Sequence, residues 1–296
     1  MEAEQDEKRS SRARPVKESR EKAPRSEDGE LILKRREVHS GRALTVSTVE
    51  WSVAEKTATP SSMLESFMWD KETEVDRFRE RVPLANLVSQ CRLASVDPTK
   101  PKPRDWVGPI KAAAKDGLAV IPECKRMEPT LGSLWKRYDV EILAKQFTSS
   151  GAPAISVNCD AVLFGGSQED ITKARASSSV AAVETSSSDD GVVVPSILAS
   201  DLILYPYQLY KLSLAGADAV NLVGGALAGK DLLYLTKIAA SLQIQTLVTV
   251  TSEVQMRALA SLAPGSINGV IVSNREVSVL IHVCACMSFF VLSRCC

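Results

Sequence analysis

Short runs of apolar residues alternate, over residues 118–272, with segments in which apolar residues recur every three or four positions. The runs lack the apolar–polar alternation of half-exposed strands, which is typical of strands buried on both faces. Six such strands are predicted, at residues 118–122, 154–157, 192–198, 219–223, 246–250 and 269–272. The segments between them predict helices at residues 140–147, 207–215, 231–242 and 253–262. Strands and helices in alternation indicate a parallel sheet.

The region before these strands divides into a charged segment and two helices. Residues 1–42 carry dense mixed charge without hydrophobic periodicity, so burial would not repay the entropy lost on ordering them. Apolar residues at helical spacing predict helices beginning near Met63 and Leu84. We therefore assign residues 1–58 to a disordered amino-terminal segment and residues 59–276 to the folded domain.

The strand–helix pattern fits two α/β architectures, a TIM barrel and a doubly wound open sheet. The open sheet usually carries a glycine-rich loop after its first strand. Here the first run is followed by Glu123-Cys124-Lys125-Arg126, without glycine. The predicted fold class is therefore α/β, a TIM (β/α)8 barrel. It is expected to be incomplete, because a seventh and an eighth unit are not recognisable after residue 276.

Two segments depart from the repeat. Residues 176–191 are rich in serine and predict a flexible insertion before the third strand. Residues 277–296 form an apolar, cysteine-rich tail. Its uncharged part only just reaches the roughly 17 residues of a spanning helix. A buried strand or helix, or a foreign end from an altered transcript, is favoured over a membrane anchor.

Composition narrows the classes of partner. The 36 basic residues equal the 36 acidic residues, so nothing favours a nucleic acid, and a small molecule is the expected ligand. The seven cysteines form no disulfide framework, which favours a reducing compartment. The two histidines, His39 and His282, are far apart in the chain, and no metal site is predicted.

Candidate chemistry lies after the first strand, because the reacting groups of a TIM barrel sit at the carboxyl ends of its strands. Glu123 and Lys125 are two residues apart, so both point into the barrel mouth. A carboxylate and an ammonium there could keep each other charged and exchange protons with a ligand. A structural ion pair at the barrel rim is the alternative interpretation.

Several motifs together resemble one family. The motifs are Thr59-Pro60-Ser61-Ser62-Met63-Leu64-Glu65, Trp69-Asp70-Lys71-Glu72, Arg81-Val82-Pro83-Leu84, Pro122-Glu123-Cys124-Lys125, Phe164-Gly165-Gly166-Ser167, Gly216-Ala217-Asp218-Ala219-Val220 and Asn274-Arg275. In this order they resemble indole-3-glycerol-phosphate synthases, most closely the plant forms. The resemblance covers about residues 59–275.

The resemblance implies a TIM-barrel lyase of tryptophan biosynthesis that uses no metal or organic cofactor. Such enzymes close the indole ring of a carboxyphenylamino-deoxyribulose phosphate and release carbon dioxide and water. By resemblance, Lys125 is the cation near the reacting centre and Glu123 orients groups or exchanges protons. Arg275, with Asn274, is expected to anchor the substrate.

Four positions depart from the family pattern. Ser200 stands where the family has a proton-donating lysine, Thr249 where it has a glutamate, and Ser273 where it has an asparagine. Glu128 brings a negative charge to a turn that should receive an anionic substrate. A neutral hydroxyl cannot replace an ammonium, so the carboxy-lyase activity of this chain is expected to be impaired.

Two functions therefore remain open. One is an impaired synthase; the other is a catalytically degenerate relative that acts as a binding or regulatory protein, with a possible protein partner at the open barrel edge. If the chain normally continues into two further units, the phosphate site would be restored but not the lysine. The plant resemblance implies a plastid, although acidic residues near the amino terminus are atypical of transit peptides, and the cytoplasm is the alternative.

Overall fold

The computed structural model describes residues 23–36, 53–54, 59–115, 117–129, 131–185, 193–273 and 288–291. Two short strands and three helices precede the main sheet: β1 (Arg35–Arg36), β2 (Val53–Ala54), α1 (Met63–Arg81), α2 (Leu84–Val96) and α3 (Val107–Ala113). Helix α1 begins where the Ser62 hydroxyl accepts a hydrogen bond from the Glu65 amide, and it ends just before Pro83.

Among the described residues the main sheet has seven strands, of which six are parallel, and each of these six is hydrogen-bonded to the next of them in chain order. They are β3 (Glu123–Cys124), β6 (Ala154–Asn158), β7 (Ser196–Ser200), β8 (Ala219–Val223), β9 (Gln245–Val250) and β10 (Gly269–Ser273). The helices are α4 (Val140–Ser149), α5 (Ala161–Phe164), α6 (Gln168–Thr185), α7 (Pro206–Ala215), α8 (Gly229–Ser241) and α9 (Glu253–Leu259). A hairpin of β4 (Met127–Glu128) and β5 (Gly132–Ser133) follows β3. The predicted α/β barrel pattern is thereby confirmed for six units.

The sheet is covered on both faces, which explains its unalternated apolar runs. Its outer face packs against the helices. Its inner face forms a separate core around Trp106 and Ile110, at the start of α3. The strand residues in that core are Ala154, Leu198, Ala219, Leu247 and Ile271. Because α3 fills the inner space at the amino-terminal ends of the strands, polar groups can gather at the carboxyl ends.

A buried ion cluster ties the amino-terminal ends of the strands to the helices. The fully buried carboxylate of Asp218, just before β8, lies 2.8 Å from Arg104 and 2.5 Å from Arg175. It also accepts a 2.7 Å hydrogen bond from the amide of Ile197. The cluster is structural, because it lies at the opposite end of the strands from the candidate site.

Three of the predicted segments differ substantially from the structure. The first strand is Glu123–Cys124 rather than residues 118–122, and Leu118 is 87% exposed there. The third strand is Ser196–Ser200 rather than residues 192–198. Residues 176–185 are not a flexible insertion but the second half of α6, since small side chains such as Ser178 and Ala181 allow it to pack closely. Residues 186–192 lie outside the described part.

Part of the segment predicted to be disordered is ordered. Residues 23–36 contain a turn and β1, and they pack against α1. The Trp69 indole donates a 2.8 Å hydrogen bond to the Lys34 carbonyl, and Arg35 forms a 2.7 Å ion pair with Glu72. The apolar side chains of Leu31 and Leu33 add contacts with the outer core. The prediction of disorder rested on the high charge content of this segment and overlooked the few apolar side chains that anchor it.

The apolar tail contributes one strand to the described structure. Strand β11 (Ser288–Val291) runs antiparallel to β10, with Val291 opposite Val270. A strand in this tail was one of the predicted alternatives, and residues 274–287 lie outside the described residues. Within the described ranges, no helix combines the length and apolar character needed to cross a membrane.

Candidate functional site at the carboxyl ends of the strands

Six polar side chains, called the inner layer below, line the inner face above the inner core. Five of them lie two residues after an inner-core residue of their strand, and Glu123 lies two residues after Ile121, which packs against that core, so alternation turns all six to the same face. The members are Glu123, Ser156, Ser200, Asn221, Thr249 and Ser273. In the strand register Ser156 lies opposite Glu123 and Asn221 opposite Ser200, whereas Thr249 lies opposite Ile271, so the six side chains share a face but are staggered along it. The layer therefore contains one carboxylate and five neutral polar groups.

Lys125 follows β3 beside this layer, but its ammonium is already ion-paired within the protein. Its ammonium forms an ion pair with the buried carboxylate of Glu128, in the hairpin that follows β3. The same ammonium lies 4.4 Å from the centre of the Phe164 ring. The Trp135 indole donates a 2.9 Å hydrogen bond to the Lys125 carbonyl and so fixes the backbone there. An anionic ligand must compete with Glu128 for this cation.

Each of the three inner-layer positions predicted to depart from the family pattern presents an uncharged hydroxyl group. Ser200 and Ser273 are half-buried at the ends of β7 and β10. The Thr249 hydroxyl donates a 2.8 Å hydrogen bond to the side-chain oxygen of Asn221. Sequence reasoning missed Asn221, although its position two residues after the apolar Ala219 placed it on the inner face. These groups can bind hydroxyls and carbonyls, but they cannot supply a proton as an ammonium does.

The two predicted substrate-binding residues, Arg275 and Asn274, follow β10 directly but lie outside the described residues. Their assignment stays a prediction. Another carboxylate does reach this end of the sheet: Glu30 accepts hydrogen bonds from Ser252 at 2.5 Å and from Gln255 at 2.9 Å, just after β9. The ordered amino-terminal segment thus adds negative charge near the mouth.

A buried ion cluster next to the mouth was not predicted. Lys71, on the core-facing side of α1, is only 2% exposed. Its ammonium lies 3.1 Å from Asp160 and 2.9 Å from Asp201, which follow β6 and β7. Glu74 adds a third carboxylate at 2.6 Å. The cluster fixes α1 over the carboxyl ends of two strands, and a lysine within an apolar helix face was the signal that could have revealed it.

The cluster shifts the titration of its members. Burial and the nearby carboxylate of Asp201 raise the pKa of Asp160 to about 6. Burial also acts to raise the pKa of Asp201, but the Lys71 ammonium and hydrogen bonds outweigh it and lower that pKa. For Lys71, burial acts to lower the pKa, while the surrounding carboxylates raise it overall. Lys71 therefore remains charged at all ordinary pH values.

The raised pKa of Asp160 predicts an unusual pH dependence of stability. An aspartate in an unfolded chain titrates near 3.9, so between about pH 4 and pH 6 the folded protein holds a proton that the unfolded chain has lost. The free energy of unfolding should consequently fall by about 3 kcal/mol, relative to Asp160→Asn, as the pH rises through this window, and then level off. Urea unfolding of both proteins at several pH values measures it. A difference that does not change with pH would contradict the assignment.

Among the residues that the structure describes, no group of three His, Cys, Asp or Glu side chains is arranged to hold a metal ion. The buried thiols are also poorly reactive: burial raises the pKa of Cys124 to about 12 and that of Cys159 well above its usual value. The chemical resources of the site are thus a carboxylate, a paired ammonium, and hydroxyl and amide groups.

The fold and the site together define an α/β barrel of the TIM class, with its polar groups at the carboxyl ends of the strands. Sequence comparison gives the family. The family profile described as indole-3-glycerol phosphate synthase matches residues 64–280. The chain belongs to the indole-3-glycerol phosphate synthase family, which confirms the predicted resemblance and the TIM-barrel fold.

Three curated relatives carry the name indole-3-glycerol phosphate synthase. The chain is 34% identical to the protein of Microcystis aeruginosa over 217 residues, which are 73% of the chain and 66% of that relative. It is 32% identical to the protein of Rippkaea orientalis over 232 residues, covering 78% and 71%. It is 33% identical to the protein of Trichodesmium erythraeum over 208 residues, covering 70% and 63%. The chain thus spans about two thirds of the length of these relatives.

Proposed function

We propose that this chain binds the substrate of indole-3-glycerol-phosphate synthases, a carboxyphenylamino-deoxyribulose phosphate, at the carboxyl ends of its strands and closes the indole ring only slowly. Family membership supports the substrate class. The observation that carries the slow rate is the charge state of the mouth: five of the six inner-layer side chains are neutral, and Lys125 is paired with Glu128.

The reaction makes three demands on the site. A ketone must be polarised, a ring carbon must attack it while carbon dioxide leaves, and a hydroxyl must depart with a proton. In this proposal Lys125 polarises or protonates oxygen, and Glu123 exchanges a proton from the inner layer. Arg275 and Asn274 are proposed to anchor the anionic end of the substrate.

The charged groups of the family that this chain lacks determine how much slower its reaction should be. Loss of one well-placed acid, base or electrostatic group typically slows a reaction by about 100-fold to 10,000-fold, and groups that act together are not additive. Ser200 replaces a family lysine and Thr249 a family glutamate, so at least one such factor should apply. The proposed activity is therefore that of an impaired lyase.

A binding or regulatory role without turnover is the second candidate. It is favoured by the pair between Lys125 and Glu128, because a cation neutralised by a buried carboxylate has less charge to offer a reacting group. The proposed substrate would still serve as the ligand, held by hydroxyl and amide groups. Binding and turnover must therefore be measured separately.

Glu128→Gln should release Lys125 for the substrate. We expect the substrate to bind about tenfold more tightly, because one charge-assisted contact is gained without competition from the carboxylate. Isothermal titration calorimetry of the full chain measures the dissociation constant. The matched control is Glu141→Gln, which removes an exposed carboxylate from the first turn of α4.

The result also tests the proposed function. Unchanged affinity in Glu128→Gln, with a substrate that binds the wild-type chain, would show that Lys125 does not face the substrate. If neither protein binds the substrate, the assignment of substrate class is wrong.

A further inference from the structure

A second pocket lies outside the barrel mouth, between α1 and the short helix α5. Its volume is 510 Å³, within the range of roughly 300–1,000 Å³ usual for small-molecule sites. Helix α1 lines it with a polar and charged stripe, and α5 contributes Ala161 and Val162. The stripe is on the side of α1 that faces away from the buried side chain of Met68.

Two arginines of the stripe have guanidinium groups without an ion-pair partner among the described residues. Arg77 and Arg81 are exposed, line the pocket and are four residues apart, so their side chains are neighbours on one face of α1. Like charges at this spacing destabilise a helix slightly. Within the described parts of the chain, neither guanidinium has an ion-pair or hydrogen-bond partner. Two planar guanidinium groups side by side are suited to bind a carboxylate through paired hydrogen bonds.

The other residues that line the pocket restrict which anionic ligand can bind there. Phe78 and Val162 provide apolar surface beside the arginines, and a flat ring could contact the edge of the Phe78 side chain, one face of which the Lys211 ammonium covers. Asp70 and Glu74 balance the two arginines, so the lining itself carries no net charge. Lys211 adds one positive charge close by, since its ammonium lies 3.3 Å from the centre of the Phe78 ring. A ligand with a single negative charge matches this balance better than a dianion.

We propose that the pocket between α1 and α5 is a second binding site, separate from the barrel mouth, for a small aromatic carboxylate. The carboxylate contacts Arg77 and Arg81, and the ring lies against Phe78 and Val162. Glu74 belongs both to this pocket and to the buried cluster around Lys71. An occupant would therefore lie one contact away from the carboxylates that follow β6 and β7.

Benzoate is the probe for this site, with binding to the full chain followed by ligand-observed NMR. Arg77→Gln combined with Arg81→Gln should weaken benzoate binding at least tenfold. The matched control, Arg92→Gln combined with Arg257→Gln, removes the same charge from exposed positions elsewhere and should leave binding unchanged. Circular dichroism verifies that both variants are folded, which is expected because all four side chains are exposed.

Three further arms test the need for the ring, the need for the charge and the independence of this pocket from the barrel mouth. Acetate and benzyl alcohol, which lack the ring and the charge respectively, should not displace benzoate at equal concentration. Lys125→Ala should leave benzoate binding unchanged, which makes the result independent of substrate binding at the mouth. Equal benzoate binding by the Arg77/Arg81 variant and the wild type, displacement by acetate or benzyl alcohol, or loss of binding in Lys125→Ala would each overturn the proposal.

Discussion

Ser200→Lys combined with Thr249→Glu is expected to raise the rate of indole ring closure about 100-fold or more over the wild-type chain. Both positions face the barrel mouth, in the same inner layer as Glu123. The lysine would supply an ammonium able to donate a proton, and the glutamate a carboxylate, where the layer is now neutral. One restored group of this kind is worth about 100-fold or more.

Single-turnover kinetics with the carboxyphenylamino substrate measure this gain. Ser95→Lys, on the exposed end of α2, is the control for added positive charge and should not change the rate. Near-ultraviolet circular dichroism verifies the native packing of the double variant. A folded double variant with the rate of the wild type would mean that these positions do not limit the reaction.

Lys71→Met is expected to lower the free energy of unfolding by about 3–5 kcal/mol, because it leaves buried carboxylates without their counter-charge. Asp160 and Asp201 are almost fully buried and both depend on this ammonium. Lys145→Met, at an exposed position of α4, is the matched control and should change stability by less than about 0.5 kcal/mol. Chemical denaturation measures both values.

The cause of this loss of stability can be tested by also removing the carboxylates that Lys71→Met leaves without a counter-charge. Lys71→Met combined with Asp160→Asn and Asp201→Asn should recover part of the stability, since no uncompensated carboxylate then remains at these two positions. Asn at position 160 can still accept the capping hydrogen bond from the Leu163 amide. A triple variant no more stable than Lys71→Met alone would show that the loss comes from packing of the lysine stem rather than from charge.

Hydrophobic pattern predicted the barrel strands well where both faces are buried. Strand β8 (Ala219–Val223) has its predicted bounds, and the bounds of β9 and β10 differ from prediction by one residue. The first strand was misplaced because residues 118–122 are apolar yet leave Leu118 and Val120 exposed. An apolar run shows that a segment can be buried. Whether the segment pairs as a strand depends on the strands and side chains that pack against it in the fold.

The two irregular segments failed for a different physical reason. Composition suggested that residues 176–191 were flexible, but serine and alanine are also the side chains that let α6 pack closely. Residues 23–36 looked disordered because charge dominates their composition. Their order rests on a few specific contacts, such as that of Arg35 with Glu72, which no average property reveals.

For the candidate site, alternation along the strands predicted the direction of side chains but not their partners. Alternation placed Glu123 and Lys125, whereas Ser200, Thr249 and Ser273 were identified by the resemblance to the synthase family. The pairing of Lys125 with Glu128 was not predicted, because it depends on how the β4–β5 hairpin folds back. The cluster around Lys71 likewise joins residues about 90 and 130 positions apart in the chain, which strand and helix periodicity cannot connect.

We propose that too little positive charge reaches the barrel mouth for normal catalysis. The most direct measurement is the single-turnover rate of ring closure by the wild-type polypeptide at saturating substrate, beside the Rippkaea orientalis relative under the same conditions. We expect a rate at least about 100-fold lower for this chain. Equal rates in the two proteins would contradict it.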